Sequence, residues 1–116
     1  MNQPLAMSDK MLDLVARRFR MLGDVTRLRI LQALEEGEQS VSAIAEQVVS
    51  TQSNISKHLQ ALTDAGILER RREGNSILYS IADPVIFKLC RLVCHSTKTS
   101  ARSHYEDLIV DKKGRR

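Results

Sequence analysis

The run Thr51-Gln52-Ser53-Asn54-Ile55-Ser56-Lys57-His58 gathers hydroxyls, amides, an ammonium and an imidazole around one apolar position. Such groups can meet base edges and phosphates when the first turn of a helix enters a major groove. On an ordinary amphipathic helix they form only a solvated face, and the run alone leaves both readings open. A second polar group, Arg70, Arg71 and Arg72 with Asn75, can reach phosphates or a minor groove. On a solvated hairpin its arginines would merely discourage edge pairing. The third group is Cys90 and Cys94, four residues apart and so about one turn apart on one helix face. Two thiolates at that spacing can clamp a soft ion, but their parallel side-chain vectors suit a direct disulfide poorly. Cysteine is also a small apolar core residue, and a thiol in apolar surroundings stays protonated and unreactive. Core packing, soft-metal or metalloid sensing, and oxidant or reactive-sulfur sensing therefore all stand. His95 is adjacent to the pair with its ring toward another face, and His104 lies further along.

The elements that must position these groups are readable from apolar spacing. Ser8-Asp9 is an N-cap for a helix carrying Met11, Leu12, Leu14, Val15, Phe19 and Leu22. Gly23-Asp24 interrupts it, a second helix runs from Val25 to Leu34, and Gly37 ends that one. Ser40-Val41-Ser42 opens a short helix with Val41, Ile44, Ala45 and Val48 inward; small Ala45 permits close approach of the next helix. After a break at Ser50-Thr51, Ile55, Leu59 and Leu62 line a further helix that stops at Ala65-Gly66, where glycine suits a left-handed cap. A short helix, a tight turn and a helix with a polar leading face make a helix-turn-helix. Ile67–Glu73, the Gly74-Asn75 turn and Ser76–Ile81 read as a hairpin, hence a wing behind the recognition helix. Asp83-Pro84 starts a last helix, apolar nearly all round through Val85, Ile86, Phe87, Leu89, Cys90, Leu92, Val93 and Cys94. With the oily first helix it would form a dimer seam. Beyond Ser96 the chain turns polar, and only Tyr105, Leu108, Ile109 and Val110 suggest a further packed turn.

The expected fold is mainly α with a β-hairpin wing (α+β), a winged helix-turn-helix of about five helices, dimeric. Residues 1–7 are read as a flexible N-terminus, 8–95 as the domain with its dimerisation helices, and 96–116 as the end of the last helix and a basic tail. Aromatic residues are scarce (two Tyr, two Phe), so aliphatic side chains must fill a small core that a second copy would complete. Eighteen basic against fourteen acidic residues give a formal charge of +4, which suits an anionic partner. The charge clusters at Arg17, Arg18, Arg20, Arg27 and Arg29, at Arg70–Arg72, and at Lys112, Lys113, Arg115 and Arg116, the last read as a disordered tail. With no apolar run of spanning length, no secretory signal and no cysteine framework, no membrane association is expected and the cytoplasm is the expected compartment.

This order of elements, with Leu22-Gly-Asp-Val-Thr-Arg-Leu-Arg-Ile-Leu31, Ser53-Asn-Ile-Ser-Lys-His-Leu59 and Ala65-Gly-Ile-Leu68, resembles the ArsR/SmtB family of small winged-helix repressors. The resemblance covers roughly residues 10 to 95. It implies a homodimer on double-stranded DNA, at a pseudo-palindromic operator near its own promoter, released when an inducer changes the spacing or dynamics of the recognition helices. It places DNA contacts on Thr51, Gln52, Ser53, Asn54, Ser56, Lys57 and His58, with wing contacts from Arg71, Arg72 and Asn75. A histidine at position 58 can equally hydrogen-bond within the fold. Thr26, Arg27 and Arg29 would support helix packing, with Arg27 near phosphate. The family's sensing patterns are not matched. Ser40-Val41-Ser42 stands where arsenite responders often carry Cys-x-Cys. Asp83 matches the first zinc ligand of other members, but Val85, Ser96 and Thr99 replace the rest. Gln32 lies near the place of the first persulfide-responsive cysteine. Cys90 and Cys94 remain as the candidate metal site, with no required cofactor and with arsenite or a soft divalent metal as a candidate inducer. Two such pairs in a dimer would supply three or four sulfurs.

Two other classes of function compete. A winged helix can serve as a protein-docking module, although few exposed aromatics are available to anchor a partner. Catalysis is not expected: the chain has no glycine-rich phosphate loop, and Cys94 and His95, as helix neighbours, diverge by about 100 degrees.

Overall fold

The computed structural model describes residues 6–114, with side chains described to residue 100. It divides into two compact units, Met1–Asp83 and Pro84–Arg116. The first contains α1 (Asp9–Leu22), α2 (Val25–Ala33), β1 (Gln39–Ser40), α3 (Val41–Val48), α4 (Gln52–Asp64), β2 (Leu68–Glu73) and β3 (Ser76–Ile81). The expected winged helix-turn-helix is present, with α3 and α4 as its two helices and β2–β3 as the wing.

Each of the four helices begins where a small polar side chain can satisfy a leading N–H. Ser8, Asp24, Ser40 and Thr51 accept from the backbone N–H three residues on, at Met11, Arg27, Ala43 and Asn54. Arg27 N–H, bound to Asp24 Oδ1 at 3.0 Å, holds that carboxyl below the usual carboxylate range. The end of α4 is a Schellman turn. Gly66 takes φ +78°, its N–H bonds the Thr63 carbonyl at 3.0 Å, and Ile67 N–H bonds the Leu62 carbonyl at 3.0 Å. Ile67 and Leu62, both fully buried, supply the apolar contact such a turn uses.

The core of this unit is aliphatic. Ile30, Leu31 and Leu34 from α2 are buried, as are Ile44, Ala45 and Val48 from α3 and Ile55, Leu59 and Leu62 from α4. The i, i+3/i+4 spacing puts each set on one stripe, so burying one stripe leaves the opposite side of α4 in solvent. Burial of each large side chain contributes on the order of 2 kcal/mol, enough for these helices to fix one another's depth.

The sheet has three strands in the order β1-β3-β2, all antiparallel. Two-residue β1, pairing Gln39 with Tyr79 and Ser40 with Leu78, was not expected from the sequence. Gly74, at φ +62°, occupies the first central position of the two-residue wing turn, where a II′ hairpin needs positive φ.

The second unit is α5 (Val85–Gly114), which begins directly after Pro84. It runs well past Ser96, so Lys112 and Lys113 are helical, whereas the disordered tail expected there had included them. Arg115 and Arg116, most of the N-terminal segment 1–7, and the side chains of His104, Tyr105, Leu108, Ile109 and Val110 lie outside the described residues. Within α5 the Arg91 guanidinium lies 5.9 Å from the Phe87 ring centroid. Among the described residues, no helix is long and apolar enough to cross a membrane.

Candidate nucleic-acid interface

The start of α4 presents Thr51, Gln52, Ser53, Asn54, Ser56 and Lys57 to solvent. Thr51 has a structural task as the cap, its Oγ1 accepting from Asn54 N–H at 3.1 Å. Asn54 stays exposed, with one amide N–H given to Ser50 Oγ at 2.9 Å. No acidic residue occupies the first turn of α4, so nothing there neutralises the positive end of its dipole. Lys57 adds a full charge about one turn further on.

His58 differs from its neighbours. It is half-buried, and its Nδ1 accepts a hydrogen bond from Arg27 Nε at 3.0 Å. Of the two roles open to it from the sequence, the structure shows the bond within the fold. Arg27 itself is occupied by that bond and by Met21, and is only half-exposed.

The wing separates its arginines by strand alternation. Arg70 and Arg72 share the face of buried Leu68, opposite Tyr79 and Ile77, and both are exposed. Among the described residues neither forms an ion pair. Arg71 points to the other face, where Nε donates to Glu38 Oε1 and Oε2 at 3.1 and 2.9 Å, Nη2 also contacts Glu38, and Glu73 Oε2 lies 3.4 Å away. The Arg71 side chain holds Glu38 below the usual carboxylate range and is itself pushed up by it. Its charge is thus largely matched at home. Arg72 and Asn75 keep free access to solvent at the end of the wing.

Cys90 and Cys94 are both free thiols. Cys90 is half-buried and burial pushes its thiol up; Cys94 is exposed. Among the described residues, no three His, Cys, Asp or Glu side chains of one chain gather into a metal-binding group. Asp83 is paired with Arg18 at 3.2 Å.

The class defined by a buried aliphatic tri-helix, an exposed polar α4 and a two-stranded wing is the winged helix-turn-helix. A family model described as a helix-turn-helix domain matches residues 22–71, from the end of α1 into the wing. The homodimeric winged helix-turn-helix DNA-binding domain of Mb0332 from Mycobacterium bovis, a possible ArsR-family regulator, shares 37% identity. It aligns at a TM-score of 0.71 over 82% of this chain and 91% of that one. A structure of the AntR antimony-specific transcriptional repressor shares 29% identity at a TM-score of 0.75, covering 88% and 93% of the two chains. A probable mercury resistance operon repressor of Streptomyces lividans is 39% identical over 80 residues, which is 69% of this chain and 64% of the relative. The match therefore spans just under two thirds of that relative's length. The chain belongs to the ArsR family of winged helix-turn-helix transcriptional regulators.

Proposed function

We propose that the chain is a sequence-specific DNA-binding repressor that works as a homodimer on a pseudo-palindromic operator. The observation that carries this reading is the uncovered polar start of α4, free of acidic residues in its first turn and accompanied by Arg70 and Arg72, which form no ion pair among the described residues. Gln52, Ser53, Asn54, Ser56 and Lys57 read and hold the groove, Thr51 caps the helix beside the backbone, and Arg72 and Asn75 add wing contacts. Pairing of two copies is supported by Met11, Leu12, Leu14 and Phe19, large apolar side chains that α1 leaves exposed in the single chain. The site of action is the cytoplasm, with the DNA, and no catalytic step is involved.

The inducer proposed is a soft metal or metalloid taken by Cys90 and Cys94. Their one-turn spacing and the exposure of Cys94 support it, as do relatives named for mercury resistance and antimony. Two sulfurs from each copy would complete the ligand set in a dimer. Because burial raises the Cys90 thiol, metal binding must displace its proton, and inducer affinity should fall as pH falls. Binding to the DNA upstream of the coding sequence, titrated with arsenite, cadmium, zinc and a persulfide donor beside a Cys90→Ser/Cys94→Ser variant, tests this. Release of wild type but not of the variant by arsenite or cadmium is expected. Equal response of both assigns the cysteines to packing.

A further inference from the structure

The Arg27 guanidinium joins three elements through directional bonds. Its Nε donates to His58 Nδ1 on α4 at 3.0 Å, and its Nη1 donates to the Met21 carbonyl at the end of α1 at 3.3 Å and lies 2.9 Å from Met21 Sδ. Its own backbone N–H is held by Asp24 at the start of α2. A guanidinium has only donors to offer, so the His58 nitrogen that faces it must be the bare one and a neutral ring carries its proton on Nε2. The buried stripe Ile55, Leu59 and Leu62 fixes which face of α4 is buried, but aliphatic contacts are non-directional, so small rotations about the helix axis that change little buried area are weakly opposed. A planar donor on a side chain that is also held at Met21 resists them well. His58 follows Lys57 directly and lies one turn after Asn54, so any rotation at His58 is carried to both.

We infer that Arg27 and His58 form a positioning latch, in which Arg27 sets the rotation of α4 through His58 Nδ1 and His58 acts on DNA through the helix it holds. This rests on the proposed DNA binding, and it assigns Arg27 a role other than phosphate contact and His58 one other than base contact. The Nδ1 position is mimicked by the Oδ1 of asparagine, whereas phenylalanine keeps the ring shape and loses the acceptor. Lysine at 27 keeps a charge for phosphate but loses the planar Nε donor.

The test measures affinity for the upstream DNA at several salt concentrations for wild type, Arg27→Lys, His58→Phe, His58→Asn and the Arg27→Lys/His58→Phe double variant, each checked for folding by circular dichroism. Ring-nitrogen NMR of the free protein reads the tautomer of His58. The latch requires the Nε2–H form, a loss of about ten-fold in both Arg27→Lys and His58→Phe, and recovery to within about three-fold of wild type in His58→Asn. The double variant should be no weaker than the weaker single, because both remove one bond. His58→Asn as weak as His58→Phe would overturn the latch in favour of direct contact by the ring. Arg27→Lys with wild-type affinity would overturn it in favour of simple charge, and stands as the deciding variant if His58→Phe does not fold. Wild type that binds no DNA at low salt overturns the DNA-binding reading itself, an outcome distinct from binding that ignores both substitutions.

Discussion

Val49 shows how one residue can stand against its own chemistry. It ends α3 in the left-handed region at φ 59°, and Ser50 N–H reaches back to the Ala45 carbonyl at 3.1 Å. A β-branched side chain pays about 1–2 kcal/mol for that conformation. At 88% exposure, its side chain returns almost nothing in packing. Glycine relieves the strain at a cost of about 0.5–1 kcal/mol in chain entropy, so Val49→Gly should stabilise the fold by roughly 0.5–1 kcal/mol in urea unfolding. Destabilisation would mean that the Val49 side chain makes contacts the single chain does not display. The exposed polar residues of α4 were legible in the sequence because Ile55, Leu59 and Leu62 fix the period and leave Ser53, Asn54, Ser56 and Lys57 on the other side. The engagements of His58 and Arg71 were not. Their partners Arg27 and Glu38 lie 31 and 33 residues away, and no local pattern announces a pairing at that distance.

At the scale of elements, the helix starts were the most readable feature, since Ser8, Asp24, Ser40 and Thr51 each stand where an apolar period begins and each caps its helix. Asp24 does so as a carboxylate whose affinity for protons is lowered by the Arg27 N–H. A depressed carboxyl contributes stability that is present above its unfolded-state value and is lost as pH falls through its folded-state value. Asparagine caps a helix about as well without titrating. Asp24→Asn should therefore match wild type in thermal melting at neutral pH and lose less stability than wild type in strong acid. A parallel acid limb in both proteins would remove Asp24 from the acid response. The strand β1 was not legible, because two residues, Gln39 and Ser40, carry no alternation; they become a strand only because β3 offers them an open edge. The extent of the last helix was less legible: the sequence left residues 96–116 as the end of that helix and a basic tail, and α5 continues to Gly114. Only Tyr105, Leu108, Ile109 and Val110 interrupt the polar stretch there, and a helical backbone can persist where its apolar stripe is too short to fix its end.

For the whole molecule, the unit Met1–Asp83 buries its aliphatic stripes well yet leaves Phe19 of α1 55% exposed, and α5 leaves Leu92 68% exposed. Exposed apolar side chains on a chain this small fit a molecule completed by a second copy. Phe19→Glu should convert a dimer to monomers in sedimentation equilibrium while preserving helical content. It should also weaken operator binding by at least about ten-fold, since two linked half-site contacts bind far more tightly than one. A Phe19→Glu protein that remains dimeric would move the seam elsewhere. Whether the start of α4 reads DNA is decided by titrating the upstream DNA with wild type and with Asn54→Ala/Lys57→Ala across a range of salt. Reading by α4 requires two chains per site, an affinity that falls steeply with salt, and loss of specific binding in the double variant. A folded double variant that binds the same site as tightly as wild type would contradict it.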